Sequence, residues 1–395
     1  MKRRGFVTLI AMLFCAALVG TILLVVSIIN AIPDAVGDAC GQIMEEIFKP
    51  LEEEPPSAEN PSIYENLVVW SDYAKVDDED EKNNKGDEET EELARNIFLY
   101  DINTGKITQL TFSKNDQDYP KIYGDYVVWL EYVGGYEGDV SSQVHLLNLK
   151  TNQESIIARE DLDNKALSIF GNRVSWLRGD TNYWDVMLYN IENDMTLNIT
   201  EQDEVALRTS PVVYENILCW SEPVNQYIIC YNIDTSEKSV YTLEGARPYD
   251  IDIYEDLVVI EGRLGDGNSN IYLLDTDSGT IQQLAGTPLA RENPKIHGDI
   301  VIWGEEYNLD PESCAENPEY CFNILLLNLK TGEARFPMAN TQAPQLNHDI
   351  WGEHIVWENY KEEDSDNNSS QSCGSDIYLY SISKDEYECV SCKED

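Results

Sequence analysis

The amino-acid sequence predicts an all-β fold, a seven-bladed β-propeller of four-stranded antiparallel blades, preceded by one N-terminal transmembrane helix. Three observations carry this expectation. A phrase recurs seven times between Ile63 and Trp357, insertions fall at one place in each repeat, and an uncharged run from Phe6 to Ile29 follows Lys2-Arg3-Arg4.

Each copy of the phrase reads aliphatic, aromatic, two-residue turn, then an apolar run that usually ends in Trp. The copies are Ile63-Tyr64-Glu65-Asn66 to Trp70, Ile122-Tyr123-Gly124-Asp125 to Trp129, Ile169-Phe170-Gly171-Asn172 to Trp176, and Val213-Tyr214-Glu215-Asn216 to Trp220. Three more follow, Ile253-Tyr254-Glu255-Asp256 to Ile260, Ile296-His297-Gly298-Asp299 to Trp303, and Ile350-Trp351-Gly352-Glu353 to Trp357. Gly, Asn and Asp in a two-residue slot tolerate the positive φ of a tight hairpin turn, so each phrase predicts a β-hairpin, strands A and B of a blade.

A second apolar phrase follows each hairpin, as in Ile97 to Thr111 and Val186 to Thr200, and supplies strands C and D. From this phrase (100, 147, 189, 231, 274, 327) to the end of the next hairpin (129, 176, 220, 260, 303, 357) the spacing is always 29 to 31 residues. From a hairpin's end to its own second phrase, the spacing ranges from 11 to 30. Length therefore varies only between strands B and C, which gathers the elaborations on one face of a propeller. The repeats open at Pro61 and finish near Val390, so every blade is expected to be contiguous in sequence, with closure by packing of the first blade on the last.

These residues resemble the TolB-like propeller repeats of bacterial and archaeal envelope and surface proteins, whose blades begin Pro-x-Ile-x-Gly-Asp-x-Val-Val-Trp and carry an Ile-Tyr-Leu-Tyr-Asp third strand. Pro120 to Trp129 and Asn293 to Trp303 match this pattern, and the likeness runs over about residues 61 to 395. It implies the fold. The family mixes scaffolds, adhesin-like proteins and propellers appended to enzymes, so it implies no single activity. The fifth copy departs from it with Ile260 in the Trp slot. TolB itself has six blades and a further N-terminal domain, so its partnerships are not carried over.

Phe6 to Ile29 is 24 residues long and uncharged, enough at about 1.5 Å per residue to cross a hydrocarbon core of about 30 Å. Basic residues before it and Asp34, Asp38, Glu45 and Glu46 after it place the amino terminus inside and the bulk outside. The expected organisation is a cytoplasmic tail (1–4), a transmembrane anchor (5–32), an extracytoplasmic stalk (33–60) and the propeller (61–395). Eight of the nine cysteines lie beyond the anchor, on the side of the membrane where disulfides persist. Local bridges are expected for Cys219 with Cys230 and Cys314 with Cys321, and a bridge from Cys373 to Cys392 or Cys389 would staple the last blade.

Acidic residues outnumber basic ones 73 to 27, which excludes a nucleic-acid partner for want of a Lys/Arg surface. No nucleophile elbow, phosphate loop or His-Glu-x-x-His is present. Of the four histidines only His348 falls outside the repeat pattern and strand phrases, so no His-based catalytic or metal centre is expected. The Trp and pre-turn aromatics recur at the same place in nearly every blade and read as packing between blades. Trp184, with Tyr132 and Tyr136 in the next-door loop, is the candidate exposed aromatic for a ligand. No cofactor is expected, although Asp77, Asp78 and Asp80 in one insertion and Asp364 and Asp366 in another could collect Ca²⁺ without matching the calcium-loop pattern. Asn198, Asn367 and Asn368 head glycosylation sequons.

Together these features describe a single-pass protein of the cell membrane, not an enzyme, whose propeller binds a protein or glycan at the cell surface through its variable B–C loops. A self-assembling envelope component and a carboxylate-based propeller hydrolase or lyase are the alternatives. Mutually close acids with raised pKa values at the channel mouth would favour the last.

Overall fold

The structure is a computed structural model that describes residues 57–75, 93–133, 141–159, 163–179, 183–201, 207–265, 267–286, 289–306, 322–337, 344–360 and 375–392. The expected anchor, the expected stalk as far as residue 56, and Asp77, Asp78, Asp80, Tyr136, Cys314, Cys321, Asp364, Asp366, Asn367, Asn368 and Cys373 lie outside them, whereas residues 57–60, expected as the end of the stalk, belong to the first blade, whose strand A opens at Glu59. Among the described residues no helix is long and apolar enough to cross a membrane.

Seven four-stranded antiparallel sheets each use four strands consecutive in sequence. The first comprises Glu59–Tyr64, Leu67–Lys75, Leu93–Asp101 and Lys106–Gln109 as strands A to D. The others cover 116–159, 163–198, 209–242, 247–285, 291–335 and 345–389. The A strands are Glu59–Tyr64, Asp116–Tyr123, Asp163–Phe170, Thr209–Tyr214, Arg247–Tyr254, Arg291–His297 and Gln345–Trp351. Two-residue turns join A to B in every blade. Glu65, Gly124, Gly171, Glu215, Glu255, Gly298 and Gly352 take φ between 48° and 59° there, as the turn chemistry requires.

Alternation along the B strands explains how the blades join. Val69 faces one neighbour and Val68 and Trp70 the other, and the same two-sided pattern recurs in each blade. The result is seven separate apolar clusters, each made by two adjacent blades. The six Trp of the phrase are all buried. In blade 5, Ile260 fills the slot, and Tyr272, its direct cross-strand partner, leans over Gly262, where a Cβ would come within 2.5 Å of the ring.

Blade 1 meets blade 7 by the same kind of cluster, with Ala58, Ile63, Val68, Trp70 and Tyr100 against Val356, Ile377, Leu379 and Val390. The Ala58 amide donates to the Ser375 carbonyl (3.0 Å), and Ser375 Oγ donates to the Ala58 carbonyl (2.8 Å). No strand is exchanged.

The cysteine expectation is met in part. Cys219 and Cys230 stand directly opposite each other in neighbouring strands and are bridged. The bridge of the last blade is corrected: Cys392 pairs with Cys389, not with Cys373. Donation from the Val390 amide to the Ile377 carbonyl (2.8 Å) holds the chain at the end of strand D, where the two Cα atoms lie 5.6 Å apart, within ordinary disulfide reach. This bridge closes a four-residue loop and does not tie blade 7 to blade 1.

Candidate functional site

Every A strand is bulged at the same place. Register shifts fall between Glu59 and Ser62, Asp118 and Lys121, Thr209 and Val212, Pro248 and Ile251, Glu292 and Lys295, and Leu346 and Asp349, and opposite Ser175 and Leu177 in blade 3. In six blades a non-glycine residue at the bulge takes a left-handed backbone: Asn60, Tyr119, Ala166, Ser210, Asn293 and Asn347, with φ of 45–56°. Such conformations cost of order 1 kcal/mol or more each and persist where the surrounding structure imposes them. Here they turn the innermost strands outward, and the axis widens into a funnel of about 670 Å³ lined by Asn60, Tyr119, Ser210, Asn293, Asn347 and Glu358 among others. The A strands run from this mouth toward the A–B turns and the B strands return to it. All seven B–C connections therefore emerge around the mouth.

Below the bulges a ring of seven residues faces the axis: Ser62, Lys121, Ser168, Val212, Asp252, Lys295 and Asp349. They surround a narrower cavity of about 130 Å³. Beneath it the pre-turn aromatics form a continuous collar. Tyr64, Tyr123, Phe170, Tyr214, Tyr254, His297 and Trp351 follow one another with centroid separations of 4.3–5.3 Å, and Trp351 returns to Tyr64 at 4.5 Å. Reading these aromatics as packing is right, but the packing is around the axis.

Two groups of charge lie in and behind the funnel wall, with Glu59, Asp250, Arg263 and Glu358 lining it. Where blades 7, 1 and 2 meet, Arg95 pairs with Glu59 and with Asp118 (3.2 Å) and lies over the Tyr73 ring. Beside them Glu358 accepts from Asn347 Nδ2 (2.8 Å), and burial pushes its carboxyl up to about 7. Across the funnel Ser210 Oγ donates to Asp250 (2.5 Å). Arg263 Nε reaches Glu261 Oε1 (2.5 Å) and its guanidinium stacks on Tyr249. Glu261, only 1% exposed, is likewise pushed up to about 7 by burial, with Asp250 adding to it. His348 donates from Nε2 to the Asn293 carbonyl (2.6 Å), and burial holds it down at about 4, neutral at physiological pH.

A carboxyl whose pKa is about 7 in the folded chain and near 4.3 in the unfolded one keeps its proton only when folded. Its stabilising contribution is fully present below pH 4.3 and is lost as pH rises to 7. Stability should therefore fall by about 3–4 kcal/mol per group across that window, and Glu358→Gln should remove its share. Urea unfolding at pH 5 and pH 8 measures this, and parallel pH profiles for the wild type and the variant would contradict it.

Trp184, expected to be exposed, is buried. It pairs with Gly179, whose lack of a Cβ lets the strands approach, and its indole packs in the cluster between blades 3 and 4 under the Lys165 ammonium, 3.6 Å from the ring centroid. The exposed aromatic of that loop is Tyr183. Tyr132 is half-buried against the core between blades 2 and 3 and is not one of the residues lining the funnel. The Asn198 amide donates to Asp185 (2.7 Å). One described group brings metal-type donors close together, Asp376 with Cys389 and Cys392. Its two sulfurs are spent in the disulfide and offer no thiolate.

The residues that sequence reading missed are Asn60, Tyr119, Lys121, Lys295, Asn347 and Glu358. The available signal was the position just before each repeat's aliphatic, which is charged in four of the seven copies (Lys121, Asp252, Lys295, Asp349).

No family model and no curated protein matches the sequence. Solved structures do. The acylaminoacyl peptidase of Pyrococcus horikoshii aligns over 85% of this chain and 52% of its own with TM-score 0.58 and 13% identity. This chain thus spans about half the length of that peptidase. The β-propeller domain of the Trilobed protease from Pyrococcus furiosus, described as having an open velcro topology, aligns over 85% of this chain and 96% of its own with TM-score 0.56 and 10% identity. TolB from Acinetobacter baumannii aligns over 61% of each chain with TM-score 0.44 and 12% identity. At these identities the first two likenesses establish the fold alone: the chain is a seven-bladed propeller.

Proposed function

We propose that this chain is a non-catalytic binding module that takes a polar protein segment or glycan into the axial funnel, flanked by its variable B–C connections. The observation that carries the reading is the shared bulge of the A strands, which turns Asn, Ser, Tyr and carboxylate side chains onto one polar mouth of a volume suited to a small ligand or a ligand's tip. The uncharged run in 5–32 serves as the membrane anchor, and the residues between it and the first blade serve as the stalk that presents the propeller outside.

A glycan and envelope-protein binding screen on the full-length chain tests this, with Leu346→Trp to obstruct the funnel and a deletion of 76–92 to shorten one B–C connection. Saturable binding weakened at least tenfold by Leu346→Trp supports the funnel. Loss only on deletion moves recognition to the connections, and binding indifferent to both sinks the reading.

The hydrolase or lyase alternative draws on the two carboxyls raised to about 7, Glu358 and Glu261, a range suited to general acid catalysis. Turnover of the bound ligand, abolished by Glu358→Gln with binding retained, would replace the non-catalytic reading.

A further inference from the structure

The axial ring below the bulges has a structural task that five of its members can perform or leave alone and two cannot. Asp252 of blade 5 accepts the Ile296 amide of blade 6 (2.9 Å). Asp349 of blade 7 accepts the Ile63 amide (3.1 Å) and the Ser62 hydroxyl (2.9 Å) of blade 1, and its own Ile350 amide (2.9 Å). Ser168 of blade 3 accepts the Val213 amide of blade 4 (3.2 Å). A short acceptor here latches blades 3, 5 and 7 each to the next. Val212 is apolar and neutral to the task. Lysine carries three donors and no acceptor, so Lys121 and Lys295 cannot latch anything.

Among the described residues neither ammonium makes a hydrogen bond or an ion pair within 4.0 Å. Both side chains line the narrow cavity and the funnel above it. Both face the channel, and burial, with Lys295 adding to it, holds the Lys121 ammonium below the ordinary lysine range against the opposing pull of Asp349 and Asp252. Two cations without direct counterions, on the axis of a chain whose formal net charge is −46, are placed against the trend of the whole surface.

We propose that Lys121 and Lys295 bind the carboxylate of the funnel's ligand, which makes that ligand an acid. The inference rests on the funnel being the binding site. Ser168, whose oxygen already accepts the Val213 amide, keeps its hydroxyl proton to donate beside Lys121. Asp252 and Asp349, already held by backbone amides, offset the two lysines in formal charge, with burial holding the Asp252 carboxyl above its ordinary range. A monoanion therefore fits better than a sulfate or phosphate dianion. The lower cavity of about 130 Å³ corresponds to a few water molecules at about 30 Å³ each. It admits a carboxylate tip, while the funnel holds the rest of the molecule.

Acetate is the probe, titrated into the full-length chain at constant ionic strength against chloride and followed by thermal melting and calorimetry. The expected result is saturable acetate binding, weaker sulfate binding, and at least a tenfold loss of acetate affinity in Lys121→Met and in Lys295→Met, with the exposed Lys384→Met unchanged. Methionine keeps the aliphatic stem and removes an unpaired charge, so melting without acetate shows directly whether each variant folds. Two independent lysines keep the test decisive if one does not. Equal acetate effects in all variants, or no saturable effect in the wild type, overturns the proposal. A funnel ligand that carries no acid group overturns it too and leaves the funnel reading standing. Acetate bound at the lysines, with no ligand obstructed by Leu346→Trp, upholds the carboxylate site and overturns the funnel reading instead.

Discussion

Arg208→Ala should destabilise the propeller by roughly 3–5 kcal/mol, the range for removing one partner of a buried ion pair. Arg208 is fully buried. Its Nη1 donates to the Trp184 carbonyl (2.8 Å) and lies 3.8 Å from Asp185, and its Nε lies 3.6 Å from Glu222. Glu222 in turn accepts the Trp220 indole N–H (3.4 Å) and Asn225 (3.1 Å). Truncation strands the Glu222 carboxylate in the wall between blades 3 and 4 and empties the volume of a fully buried guanidinium. Arg208→Lys keeps the charge but not the planar fork, so it should recover part of the loss. Denaturant unfolding of the two variants measures both effects, and an Arg208→Ala cost below 1 kcal/mol would refute the assignment. Blade 6 repeats the device with Arg291, Glu305 and the Trp303 indole, at 3.0 Å for each contact to Glu305.

Trp357→Ala should cost about 3–5 kcal/mol by leaving a cavity between blades 6 and 7. The indole is 1% exposed, packs among Ile302, Ile324, Leu326, Ile350 and Tyr380, and stacks on Tyr378 at 5.7 Å. Blade 5 shows that isoleucine can occupy this slot, but only because Tyr272 leans into the space over Gly262. In blade 7 the corresponding residue is Asn359, whose Cβ denies Tyr378 that movement. Trp357→Ile should therefore remain well short of wild-type stability, and adding Asn359→Gly should restore part of it. A Trp357→Ile variant as stable as the wild type would show that the ring tolerates the slot without compensation.

The blades were legible in the sequence because the hairpin turn and the inter-blade contact are set by local rules. Glu65, Gly124 and Gly298 had to take positive φ, and Val68, Val69 and Trp70 had to alternate between two neighbours. Contiguous blades followed from repeat boundaries alone. The axial site was not legible, because it is assembled from one residue per blade, each some 40 to 60 positions from the next, and a bulge leaves no signature in composition. Asn60, Tyr119 and Asn347 look like ordinary strand residues until the register shift turns them inward. Trp184 misled for the opposite reason: its loop is polar and rich in turn residues, but the side chain belongs to the first residue of a strand and follows that strand's pleat into the core. Proximity along the chain favours the Cys389–Cys392 pairing, whereas the expected bridge to Cys373 rests on the greater stapling value of a longer loop.

The contact of Ala58 with Ser375 has a consequence for how such a ring can be cut and rejoined. Since every sheet is complete within its own stretch of chain, the junction between blades 7 and 1 differs from the other six only in lacking a covalent connection. Linking residue 392 to residue 57 and opening the chain between blades 3 and 4 would preserve all seven sheets and all seven clusters. The ring thus has a beginning in its gene but none in its packing. Whole blades can be permuted, gained or lost as units, provided the axial ring and collar still close.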